Sequence, residues 1–204
     1  MTEHRSRATR LVAVAVLLCA GCPRAEAHLV TTGLGPVYDG IAHLALSPAD
    51  LAVIVVLVLL GAMRGARPGR WLLAVLPGAW LLGGMAGLYF PISASLNWAT
   101  GLSLLLAGAL VAADRNLPLS VVAIVAATIG ALHGFLIGSA LARTPSATLE
   151  LTGTLVAVLV VVPLVAGLIV SLKAFWARVA VRVLGSWIAA TGLLVIGWSL
   201  RAGH

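Results

Sequence analysis

Asp39, His43 and Asp50 lie within twelve residues, just before the first long apolar run that follows residue 27. This grouping is unusual in a chain with 9% charged residues, because an ionisable side chain near a bilayer interior is costly. If residues 36–46 are helical, Asp39 and His43 share one face. A carboxylate beside an imidazole orients the ring or binds a metal together with it. These ligands suit nickel, cobalt, zinc or copper, so the spacing predicts a transition-metal site.

Helix capping is an alternative explanation for part of this group. The stretch Ser47-Pro48-Ala49-Asp50 has a serine suited to the N-cap, a proline at the first helical position and an acid at the third. Capping alone would account for Asp50, and a turn with Gly40 would account for Asp39. Neither explains His43, which has apolar neighbours and an acid one turn away.

The composition indicates the structure that must hold these residues. The chain has 204 residues, of which 61% are hydrophobic, whereas soluble domains average about 45–50% apolar residues. We therefore predict an all-α polytopic membrane helix bundle in contact with the lipid bilayer. The net charge of +7 does not indicate nucleic-acid binding, because the basic residues occur singly or in threes between apolar runs, as loop charges do.

Residues 1–27 are predicted to be a cleaved signal peptide. Three arginines precede the apolar run at residues 11–20, and Ala25-Glu26-Ala27 has the small-x-small form of a cleavage site. Cleavage there would make His28 the first residue, so that its amine and imidazole could chelate a metal together. The alternative is a lipoprotein with lipid on Cys22, although the usual upstream leucine is missing.

The remaining residues, 28–204, are predicted to form one domain with six transmembrane helices. The predicted spans are residues 48–63, 71–89, 97–113, 118–141, 150–172 and 180–200. With the mature amino terminus outside, seven basic residues fall in cytoplasmic segments: Arg64, Arg67, Arg70, Arg115, Lys173, Arg178 and Arg182. Two, Arg143 and Arg201, fall outside. This bias follows the positive-inside rule and predicts an inner-membrane protein with both mature termini outside the cytoplasm.

This orientation places His133 on the outer side of the membrane. It lies fifteen residues after Pro118, about 22 Å along a span that starts inside and crosses a core of about 30 Å. We predict His43 and His133 as metal ligands, with Asp39 or Asp50 as a third ligand or ring orienter, and His28 as a further ligand.

The polar residues His133 and Glu150 can also be explained by structural roles without a metal. His133 alone could form a hydrogen bond between helices. Glu150 is predicted to be an exposed acid at a helix amino terminus, where the helix dipole favours it.

Two sets of small residues recur every four positions: Gly130, Gly134 and Gly138 on the fourth predicted span, and Ala79, Gly83 and Gly87 on the second. Small residues at this spacing let helix backbones approach closely. We predict that these ridges serve close packing in preference to lining a pathway. Association of several copies of the chain through them is a further option.

The motifs resemble those of the HupE/UreJ family of bacterial membrane proteins. Gly40-Ile-Ala-His43 followed by Ser47-Pro48-Ala49-Asp50 is similar to the family's first-span pattern H-P-x-x-G-x-D-H. His133-Gly134-Phe135-Leu136-Ile137-Gly138 is similar to its fourth-span pattern H-G-x-A-H-G. The leader and the six-span plan also match, so the resemblance covers essentially the whole chain. It implies secondary uptake of nickel, or cobalt, for hydrogenase and urease maturation.

The chain departs from the family patterns at several positions. The aspartate lies seven residues after His43, where the pattern places it six after. Leu51 and Ile137 stand where the two motifs have their second histidines, and the carboxylate after the fourth-span motif is missing. Only His43, Asp50 and His133 carry over. A site with half its imidazoles replaced would be weaker, differently selective or lost.

The resulting hypothesis is a secondary permease for a divalent transition metal, which is its substrate, with no permanently bound cofactor. The chain has no nucleotide-binding motif, so gradients or consumption of the metal inside would drive uptake. The main alternative is a membrane scaffold or metal-handling accessory that binds an ion or partner without moving it. We do not expect an enzyme, since Ser139 lies on the same helix as His133 without a G-x-S arrangement. Haem held by two histidines is a minor alternative.

Overall fold

The computed structural model describes residues 31–93, 96–171 and 175–202. The helices of these residues are α1 (Pro36–Leu46), α2 (Pro48–Ala62), α3 (Ala66–Tyr89), α4 (Asn97–Ala113), α5 (Leu119–Leu141), α6 (Ala147–Ser171) and α7 (Phe175–Ala202), and these ranges contain no strand. The all-α prediction is therefore confirmed for the described residues. The predicted signal peptide, Cys22 and His28 lie outside them.

A helix lies over each of the six predicted spans, but the helices differ in length. Four of them, α3, α5, α6 and α7, are long and apolar enough to cross a membrane, as expected for a membrane protein. Helix α4 has 17 residues, which is short for the ~20 that a span requires. Helices α1 and α2 meet the length and hydropathy requirement only as a pair, and they are bent by 73° at their junction.

The junction between α1 and α2 follows from Ser47 and Pro48. The residue before a proline avoids the helical region, and Ser47 is extended, with φ −91° and ψ 97°. This conformation ends α1 at Leu46. Pro48 then occupies the first turn of α2, and the Ser47 hydroxyl accepts a hydrogen bond from the backbone N–H of Asp50 at 3.4 Å. The predicted N-cap is confirmed.

Helix α2 lies at the centre of the bundle. It contacts every other described helix, and all but one of its residues from Val53 to Ala62 are buried. A helix that is apolar on all sides is expected to be buried in this way. At its amino terminus Pro48 is exposed and Asp50 is partly buried, and α1 packs mainly on α6.

Helices α3 and α5 pack closely through the predicted small-residue ridges. A β-carbon added at Gly83 would lie 2.0 Å from the carbonyl oxygen of Ala131, and one added at Gly87 would lie 2.2 Å from that of Phe135. From the first contact to the second, the residue number rises by four on both helices, so α3 and α5 run parallel. Parallel packing is expected if α3 and α5 both cross from the inside to the outside.

The same contact is seen from α5. A β-carbon at Gly134 would lie 2.1 Å from the carbonyl oxygen of Trp80. The prediction that the ridges serve close packing is confirmed. Because the ridges face each other within one chain, association between copies stays a prediction and would require other surfaces.

A second glycine contact joins α4 and α7, and the sequence analysis did not predict it. A β-carbon at Gly192 would lie 2.5 Å from the carbonyl oxygen of Gly101, and one at Gly108 would lie 2.6 Å from that of Gly185. From one contact to the next, the residue number rises along α4 and falls along α7. The two helices are therefore antiparallel. Helix α7 packs mainly on α4 and touches α2 only lightly.

Basic residues gather where α2 and α4 end and α7 begins. Arg64 donates hydrogen bonds to the carbonyl oxygens of Leu60 and Arg115. The Nε atom of Arg182 donates to the Ala112 carbonyl oxygen at 3.1 Å. Basic side chains commonly satisfy the last carbonyls of helices in this way. The contacts bring residues from three predicted cytoplasmic segments to one end of the bundle.

Candidate functional site

The candidate site is built on a contact between α2 and α5. The Nδ1 atom of His133 lies 2.6 Å from Oδ1 of Asp50. His133 is 1% exposed, and the Asp50 side chain is 13% exposed. With Asp50 ionised, the Nδ1–H of His133 donates to the carboxylate. This bond fixes the ring orientation and leaves Nε2 as the nitrogen with a free lone pair.

The other side of the ring faces α4. The Oγ atom of Ser103 lies 2.8 Å from Nε2 of His133, and it also lies 2.8 Å from the carbonyl oxygen of Thr100. Ser103 is buried. Its single hydroxyl proton therefore has two acceptors within reach, one on its own helix and one on α5.

Helix α3 completes the surroundings of His133. The rings of Trp80 and His133 have centroids 5.9 Å apart and planes inclined by 33°. Trp80 is fully buried, because the glycines of α5 let the backbone of α3 approach closely at this level. Side chains from three other helices, α2, α3 and α4, thus meet at the His133 imidazole.

Asp50 has two roles. Its Oδ2 atom accepts a hydrogen bond from the Ser47 hydroxyl at 2.5 Å, while its backbone N–H binds the same hydroxyl. Capping therefore explains the backbone and one carboxylate oxygen, as predicted, and the other oxygen binds His133. The direct partner of His133 is Asp50, whereas the sequence had favoured His43.

His43 lies in the last turn of α1 and is partly buried. It lies seven residues before Asp50, with the junction at Ser47 between them. The chain bends by 73° at this junction, and α1 packs mainly on α6.

Asp39 binds a different partner. Its Oδ1 atom accepts hydrogen bonds from the backbone N–H and the hydroxyl of Thr32, at 2.6 and 2.7 Å. Helix α1 includes both Asp39 and His43, as the spacing required. The bonds to Thr32 nevertheless tie Asp39 to the segment before α1.

Glu150 differs from its prediction. It lies in the first turn of α6, as expected, but it is 7% exposed, and the expectation of an exposed acid was wrong. The reason is that α1 packs on this turn: a β-carbon at Gly40 would lie 1.9 Å from the Glu150 carbonyl oxygen. The Glu150 side chain accepts a hydrogen bond from the Ser146 hydroxyl at 2.7 Å.

The described residues contain no group of three histidine, cysteine, aspartate or glutamate side chains arranged to hold one ion. Of the predicted ligands, the structure brings Asp50 and His133 into contact and binds Asp39 to Thr32, while His43 lies in the last turn of α1. His28 lies outside the described residues. The contact between Asp50 and His133 supplies one oriented imidazole and a carboxylate.

The sequence analysis did not predict Ser103 and Trp80 as site residues, although their positions along their helices could have indicated them. Ser103 lies six residues from the start of α4, about 9 Å, and His133 lies eight residues from the end of α5, about 12 Å. Trp80 lies nine residues from the end of α3. If those helix ends share one side of the membrane, the three side chains lie at similar depths.

The family model described as HupE / UreJ protein matches residues 14–195, which is most of the chain. No curated protein and no solved structure matches this chain.

Proposed function

Because this chain belongs to the HupE/UreJ family, we propose that it is a secondary permease for a divalent transition metal, nickel or cobalt, which enters from the outer face of the inner membrane. The observation that carries the proposal is the bond between Asp50 and His133, which presents Nε2 as an oriented ligand. The metal is the substrate of this activity.

The chemistry of the site suits such a substrate. A histidine that binds a metal commonly donates its other ring N–H to a carboxylate, which fixes the tautomer and raises the basicity of the ligating nitrogen. Asp50 stands in that relation to His133. His43 on α1 is the second candidate ligand. Imidazole nitrogens with carboxylate oxygens suit nickel and cobalt, and copper or zinc would also be accepted by such a set.

We propose that α1 and α2 together form the first span and that α3 to α7 form the other five. The basic end of the bundle would face the cytoplasm, where positive charge is favoured, and Asp50 and His133 would then lie towards the outer side. The mature termini would both lie outside the cytoplasm after cleavage of the signal peptide.

Metal uptake by cells tests this function. Cells producing the wild-type chain, His133→Ala or His43→Ala at equal membrane levels would be given labelled nickel and then labelled cobalt. We expect His133→Ala to abolish uptake and His43→Ala to reduce it, because the first change removes the oriented ligand and the second removes a further candidate ligand. Unchanged uptake in both variants would refute the proposed site.

A second candidate is a membrane accessory that binds the metal without moving it. The stretch from Val53 to Ala62, which follows Asp50 towards the other end of α2, is apolar and mostly buried. Because it offers an ion no polar side chain along α2, it favours the accessory. Purified protein in liposomes separates the two functions, since a permease produces metal flux and an accessory binds metal without flux.

A further inference from the structure

The position of Ser103 conflicts with a cation bound to His133. A divalent metal binds an imidazole nitrogen at about 2.0–2.1 Å. The Ser103 Oγ atom lies 2.8 Å from Nε2, so a cation on the lone pair that this hydroxyl faces would overlap it. Ser103 must leave this position before the nitrogen can bind a metal.

Ser103 can leave without an unsatisfied hydroxyl. The Thr100 carbonyl oxygen on the same helix lies 2.8 Å from Oγ and accepts its proton when Nε2 no longer does. Serine and threonine hydroxyls commonly bind the carbonyl of the preceding helical turn. The bond to His133 is therefore the one that is exchanged.

The bond also joins two parts of the bundle. Ser103 belongs to α4, which packs on α7 through glycines, whereas α4 and α5 contact each other at few positions. The Ser103–His133 bond is a polar link across this sparse contact. Displacement of Ser103 would thus loosen α4 from α5.

We propose that Ser103 gates the metal site, in that its hydroxyl occupies the ligand position of His133 in the empty protein and is displaced when a divalent cation binds. The proposal rests on the metal site described under Proposed function. Ser103 acts here as a competitor for the ligand nitrogen and has no role as a ligand.

The first test is metal affinity. Wild type, Ser103→Ala and Ser139→Ala would be purified in lipid nanodiscs and titrated with Co²⁺. We expect Ser103→Ala to bind Co²⁺ about fivefold more tightly than the wild type, because metal binding in the variant no longer requires the loss of the hydrogen bond between α4 and α5. Unchanged or weaker binding would overturn the proposal, and a merely structural role for Ser103 would also weaken binding.

Ser139→Ala is the matched control. Ser139 is also buried, it lies on α5, and its hydroxyl has no hydrogen-bond partner among the described residues. The same chemical change should leave Co²⁺ affinity at the wild-type value. A tightening equal to that of Ser103→Ala would show that the effect does not come from the bond to His133, and this would also overturn the proposal.

The second test requires no metal. Spin labels at Leu106 on α4 and Ile124 on α5, both exposed positions, would report the separation of these helices after Cys19 and Cys22 are replaced by serine. We expect Ser103→Ala to broaden or lengthen the distance distribution in the empty protein. An unchanged distribution would overturn the proposal. A changed distribution without Co²⁺ binding in any variant would show that the Ser103–His133 bond holds α4 to α5, and it would refute the metal site and with it the gate.

Discussion

The Nδ1 atom of His133 lies 2.6 Å from Oδ1 of Asp50, although 83 residues separate the two in the chain. The contact brings the amino terminus of the central helix α2 against α5. With Asp50 ionised, its carboxylate holds the proton on Nδ1, and Nε2 is then the available nitrogen of His133. The activity proposed for this chain depends on that assignment.

Asp50 is predicted to be required for metal binding. In Asp50→Ala the ring loses its orienting partner, and metal affinity should fall about 10- to 100-fold, as is typical when a group that positions a ligand is removed. Binding of Ni²⁺ or Co²⁺ to the purified variant measures this effect.

Asp39→Ala is the matched control for that prediction. Asp39 lies on α1 and binds Thr32, so the same change there should leave metal affinity near the wild-type value. If Asp39→Ala weakened binding as strongly as Asp50→Ala, Asp39 would be a ligand and the site would require revision.

Gly134→Ala is predicted to destabilise the protein. The added β-carbon would lie 2.1 Å from the Trp80 carbonyl oxygen, which cannot move without shifting α3. Overpacking of this kind costs about 1–3 kcal/mol of unfolding free energy. Gly78→Ala is the control, because a β-carbon there meets nothing within 4 Å. Thermal unfolding in detergent measures both variants, and equal midpoints would contradict the close packing of α3 on α5.

Gly192→Ala is predicted to weaken the pairing of α4 with α7. A β-carbon there would lie 2.5 Å from both the Gly101 carbonyl oxygen and the Leu105 backbone nitrogen. The loss of stability should again be about 1–3 kcal/mol. Gly197→Ala on the same helix meets nothing within 4 Å and should have little effect. Labelling of a cysteine placed at Leu105 would show whether this contact opens, and no difference between the two variants would contradict the antiparallel pairing.

Arg64→Lys is predicted to be destabilising although it keeps the charge. The planar guanidinium reaches two carbonyl oxygens, those of Leu60 and Arg115, which a lysine ammonium cannot reproduce with the same geometry. Burial lowers the pKa of Arg64, an effect that Asp114 partly offsets, and the group remains charged at neutral pH. The expected loss is about 1.5 kcal/mol, measured by thermal unfolding. Arg67→Lys, at an exposed position, should unfold like the wild type.

The sequence predicted the helices well because their signals are local. Long apolar runs bounded by charges and prolines indicate membrane helices wherever they occur, and the observed helices lie over all six predicted stretches. Small residues every four positions likewise predicted a close helix contact. The sequence did not predict which helices meet, because each ridge is complementary to any other flat surface.

The partner of His133 was decided only by the tertiary structure. The sequence explained Asp50 by helix capping, and the structure contains the predicted N-cap bond between its backbone N–H and the Ser47 hydroxyl. Its second role depends on the packing of α2 against α5, which brings Oδ1 of Asp50 to Nδ1 of His133. The sequence by itself determined the residue types that could bind a metal. Packing determined that Asp50 orients His133 while Ser103 covers its other nitrogen, because depth and rotation are fixed only when the helices assemble.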